Sequence, residues 1–133
     1  MTKLILSNSV VGTHTGTVTK NTSEAITQKY LLCKLSSNGT VAIAGDSDTP
    51  IGVITDEADA GGIVNVALLG GSDTLKIIAG SQITAGSKIY AGAAGKAAST
   101  GTEMIGIALT GASAAGVEIE FVSCLPVSCL PEE

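Results

Sequence analysis

Two stretches of this chain echo one another, and the echo limits its folding more than any other feature. "IGVITDEADAGGIVNVALL" begins at Ile51, and "IGIALTGASAAGVEIEFVS" begins at Ile105. Each reads Ile-Gly-aliphatic, a short strand, a loop of small residues, then an alternating strand. Val64, Val66 and Leu68 fall on one face in the first copy. Val117, Ile119 and Phe121 do so in the second, with Glu118 and Glu120 turned to water. A period of two is the mark of a half-buried strand.

The echo continues upstream. Residues 30–35 and 40–43 flank Asn38-Gly39, a strong hairpin signal. Lys88-Ile89-Tyr90-Ala91, Gly92 to Gly95 and Lys96-Ala97-Ala98 have the same outline. The stretch "AGAAGKAAST" at 91–100 therefore reads as the second hairpin. Its likeness to a phosphate loop fails on chemistry: Tyr90 stands where the first glycine belongs, and Ala97 replaces the magnesium-binding hydroxyl. No helix follows to face an anion. Thr74-Leu75-Lys76-Ile77-Ile78 adds a strand between the copies, and 79–88 reads as a turn, a brief extended piece and a turn.

These patterns predict an all-β domain, a compact β-sandwich or small β-barrel of eight to ten short strands with an internal duplicated unit. The two copies are expected to pack face to face. The β domain spans 29–123, with halves at 29–69 and 87–123. Residues 1–28 form an N-terminal arm and first strands, where Thr13, Thr15, Thr17 and Thr19 line one face. Residues 124–133 form an extended tail, because "VSCLP" occurs twice and each proline interrupts a ladder. Leu4, Leu6, Leu125 and Leu130 are the apolar anchors of these arms and the candidate contacts with neighbouring chains.

Composition excludes several functions. Seven lysines, no arginine and twelve carboxylates give a net charge of −5, without the basic stripe or guanidinium groups that grip nucleic acid. No apolar run reaches membrane-spanning length, and the apolar stretch near Met1 is too short for a signal peptide. The protein is thus expected to stay where it is made. The odd set Cys33, Cys124 and Cys129 fits free thiols in a reducing compartment.

No catalytic constellation emerges. Cys33 sits in an apolar strand, where a thiol is usually buried and inert, so a Cys33–His14 pair is disfavoured. Asp46, Asp48, Asp56, Glu57 and Asp59 lack calcium-loop spacing. Cys124 and Cys129 do not form a zinc knuckle. The expectation is no enzyme, no cofactor and no metal.

The stretch from "PIGVITDEADAGGIVNVALLGG" through "AGSKIYAGAAGKAAS" to "MIGIALTGASAAGVEIEFV" resembles the capsid decoration, or cement, proteins of tailed bacteriophages. The resemblance covers roughly residues 29–123. It implies a virion protein on the exterior of an icosahedral head, bound to the major capsid protein, stabilising the shell as a homotrimer and assembled in the host cytoplasm. It carries no catalytic residues. A carbohydrate-binding or adhesion module is the alternative; with only three aromatic residues the chain is poorly equipped to stack on sugars.

Overall fold

The computed structural model describes residues 16–71 and 73–123. Ten strands run in the order β1 (Thr17–Asn21), β2 (Leu31–Leu35), β3 (Val41–Ile43), β4 (Gly52–Ile54), β5 (Ile63–Leu68), β6 (Thr74–Ile78), β7 (Lys88–Ala91), β8 (Ala97–Ala98), β9 (Met104–Ala108) and β10 (Glu118–Ser123). Among the described residues there is no α-helix, and a 3-10 turn spans Ala93–Gly95. The all-β expectation holds.

The strands form two five-stranded sheets, β1-β5-β4-β2-β3 and β6-β10-β9-β7-β8. Adding five to each label of the first sheet gives the second. Neighbouring strands within both sheets are antiparallel. Parallel bridges, Thr22 to Val41 and Ala79 to Ala97, then join the ends of the edge strands. Each sheet is thereby curled into a partly closed barrel, which leaves little open edge. The correspondence reaches the loops: Ile26 bridges Ala58 as Ile83 bridges Ala112. It also runs beyond the Ile-Gly motif, because β6 holds the edge position that β1 holds in the first sheet.

The Ile-Gly dipeptide marks equivalent places. Gly52 pairs with Leu68, and Gly106 pairs with Ser123. A Cβ at Gly52 would strike the Ala67 carbonyl oxygen, and one at Gly106 would strike that of Val122. Glycine here permits two central strands to approach closely. The hairpins also match. Ser36 N–H donates to Thr40 O at 2.9 Å, and Gly92 N–H donates to Lys96 O at 2.8 Å. Their tips hold Gly39 at φ 87° and Gly95 at φ 76°, a left-handed conformation that favours glycine. "AGAAGK" is a turn.

The core departs from a pair of equal halves packed face to face. Strand alternation sends Cys33 and Ile54 into the first barrel, beside Ile26, Val41, Val64 and Val66. Their neighbours Leu32 and Val53 point outward and join a larger cluster with Ile77, Ile89, Ile119 and Phe121 of the second barrel. The outer face of the first sheet thus completes the interior of the second. Around this joint β6 lies against β2 and β4, and Ile78 N–H donates to Tyr30 O at 3.0 Å. Tyr30 sits at φ 67°, where the second unit has Gly86 at φ 88°; their N–H groups donate to Ile54 O at the end of β4 and Ala108 O at the end of β9, both at 2.7 Å. A non-glycine residue there costs about 1–2 kcal/mol. The Tyr30 ring packs on the larger cluster beneath Lys76 Nζ, 5.8 Å from its centroid.

One inward assignment changes. Val117 is 38% exposed and precedes β10, whereas Ile119 and Phe121 are buried. The turn through Gly116, at φ 95°, delays the strand by one residue.

Candidate interaction surfaces

The residues that invite a chemical reading have structural work. Asp48 accepts the Gly45 N–H at 2.8 Å and faces Lys34 Nζ at 3.2 Å. The Gly45 bond first, and Lys34 second, hold its carboxyl below the usual range. Asp56 accepts Asn65 N–H at 3.0 Å, and Glu24 accepts Ile43 N–H at 2.7 Å on edge strand β3. Among the described residues no group of three or more His, Cys, Asp or Glu side chains is placed to hold a metal ion.

Cys33 lies inside the first barrel with no exposed surface. Burial pushes its thiol up from 9.0 to about 12, partly opposed by the Gly52 backbone hydrogen bond. The thiolate is the reacting species, so Cys33 is inert in the folded chain. In a Cys124→Ser/Cys129→Ser variant, which leaves Cys33 as the lone thiol, alkylation at pH 8 is expected to be at least about a hundredfold slower than in denaturant. The raised folded value favours the protonated form. Its contribution to stability is therefore intact below about pH 9 and is lost as pH rises toward about 12. Equal alkylation rates in native and denatured protein would refute this placement.

Surface relief is shallow. An open depression of about 390 Å³ lies between the β3–β4 loop and the second hairpin, lined by Asp46, Ser47, Gly92, Ala93, Thr100 and Thr102 among others. No aromatic side chain lines it. Among the described residues Phe121 is buried and Tyr30 and Tyr90 are half-buried, so no ring is fully exposed as a sugar platform. Among the described residues the large exposed apolar side chains are Leu35 (50% exposed), Ile63 (63%), Leu109, Val117 and Val122.

Leu4, Leu6, Leu125 and Leu130 lie outside the described residues, as do His14, Cys124 and Cys129. The structure describes apolar surface elsewhere. The faces that it does reveal, around Leu35, Ile107 and Val122, were not singled out by sequence reasoning. A signal existed: "LLCKL" carries Leu31, Cys33 and Leu35 on one face and Leu32 beside Lys34 on the other, whereas "KIYA" carries Lys88 and Tyr90 on one.

The comparisons agree with this picture of an all-β scaffold. The family described as phage cement protein matches residues 10–123. The crystal structure of the head fiber gp8.5 N base in bacteriophage phi29 is similar at a TM-score of 0.65 with 22% identity, over 80% of this chain and 92% of that one. That likeness concerns the fold. No protein with a curated description matches.

Proposed function

Since the chain belongs to the phage cement protein family, we propose that it binds the outer surface of an icosahedral phage head and stabilises the shell by bridging major capsid subunits. The observation that carries this reading is the family match over residues 10–123, which takes in both partly closed barrels. The chemistry is compatible. A rigid, acidic β-scaffold supplies surface rather than a reaction site, and its exposed aliphatic residues offer contact without catalysis. The protein acts as a homotrimer at the exterior of the virion, following assembly in the host cytoplasm.

The arms are the proposed anchors. Ordering a residue costs about 1–2 kcal/mol of backbone entropy, and burying a leucine returns about 1.5–3 kcal/mol. Two leucines per arm therefore need backbone pairing with a neighbour's strand edge to hold. The test uses undecorated heads and the full chain carrying Leu4→Ala/Leu6→Ala or Leu125→Ala/Leu130→Ala. Each pair is expected to weaken head binding roughly a hundredfold, as loss of about 3 kcal/mol requires, with the circular dichroism unchanged. Wild-type occupancy by both variants would remove the arms from the account. Failure of the wild-type chain to bind heads would sink the reading itself.

A further inference from the structure

The joint between the two barrels has two complementary sides, and each unit carries both. One side is the outer face of a sheet, used in the first unit through Leu32 and Val53. The other is the seam between the edge strands, used in the second unit through Ile77 on β6 and Gly95 beside β8. A Cβ at Gly95 would lie 2.9 Å from Leu32 O and 3.1 Å from Leu31 Cβ, so the hairpin tip is pressed onto β2. Among the described residues two sides are therefore unused: the seam of the first unit and the outer face of the second.

Strand register identifies what occupies them. Lys20 faces Val64 as Ile77 faces Ile119, and Lys88 faces Ile107 as Leu32 faces Val53. Both apolar residues at the heart of the joint are replaced by lysine at its unused counterparts. The surroundings are mixed: Val18 is half-buried at the first seam, Ile107 faces both Lys88 and Val122, which is 44% exposed, and Glu118 and Glu120 share the outer face of β10 with Val122. Lys20 also takes the place of a neighbour. A Cβ at Gly39, the counterpart of Gly95, would lie 3.9 Å from Lys20 Nζ.

We propose that these two faces fit a second copy of this chain head to tail, and that Lys20 and Lys88 block that pairing, confining the unit-to-unit joint to one per chain. A heterologous contact that does not close on itself propagates into fibres. Pairing two copies this way would bring the ammonium groups together and strip them of water. Edge blocking by lysine is a known device against sheet association. Here it acts on a barrel seam and the face that would fill it.

The test measures the mass of the full chain by light scattering over a range of concentrations. Lys20→Ile/Lys88→Leu is expected to form species larger than the wild-type assembly, growing with concentration and appearing at roughly tenfold or more lower concentration than in wild type. Lys20→Glu alone, which sets a carboxylate against Lys88, is expected to associate at low salt and dissociate as salt is raised. Lys20→Glu/Lys88→Glu restores the wild-type mass. A folded Lys20→Ile/Lys88→Leu variant with wild-type mass at every concentration overturns the proposal. If that variant loses its β-sheet circular dichroism, Lys20→Glu decides: wild-type mass at low salt overturns it equally.

Discussion

Replacing Phe121 with alanine is expected to destabilise the chain by about 3–5 kcal/mol, the range for removing a large aromatic from a packed core. Phe121 is the single phenylalanine, and it is fully buried on β10, opposite Leu75 on one side and Ala108 on the other. Its cluster contains many small side chains, among them Ala79, Ala91, Ala97, Ala108 and Ala112. These alanines make room for one large ring and cannot extend into the space that it leaves. Urea unfolding should show a lower midpoint with an unchanged slope. A loss below about 1 kcal/mol would mean that the larger cluster is not organised around this ring. At Val66, its counterpart in the first barrel, truncation to alanine removes less volume and should cost less.

Gly106→Ala and Gly52→Ala should each cost about 3 kcal/mol, through overlap rather than loss of contact. The added methyl meets a carbonyl oxygen of the adjacent central strand, Val122 or Ala67, and backbone in mid-sheet has little freedom to withdraw. Both strands would have to separate, weakening the ladders on either side. For a domain of this size the thermal midpoint should fall by roughly 10 °C. Gly71→Ala is the control, since its nearest neighbour is Leu68 O at 4.0 Å, and it should leave the midpoint nearly unchanged. Equal midpoints for Gly106→Ala and Gly71→Ala would refute the close strand approach.

The Ile-Gly repeat made much of the architecture legible. A glycine after an isoleucine, followed by an alternating strand, recurs because the same cross-strand approach recurs. The second hairpin could be recognised without Asn-Gly because its flanking residues repeat the outline of the first. The kinship of β1 and β6 was harder to see. "TVTKN" and "TLKII" share little beyond an initial threonine, and their common edge position comes from register with β5 and β10. The asymmetric joint was also hidden. Alternation shows which residues share a face, but which face a second unit covers depends on tertiary packing. The consecutive apolar residues Leu31, Leu32 and Cys33 were the available sign of a strand covered on both sides. Val117 was misplaced because periodicity alone does not register where the Gly116 turn releases the chain into β10.

The capsid role is tested most directly by electron cryo-microscopy of heads assembled with and without this chain. The account predicts added density on the outer surface, astride junctions between major capsid subunits, into which two side-by-side partly closed barrels fit. Heads of identical surface density in the two preparations, or added density only inside the shell, would contradict it.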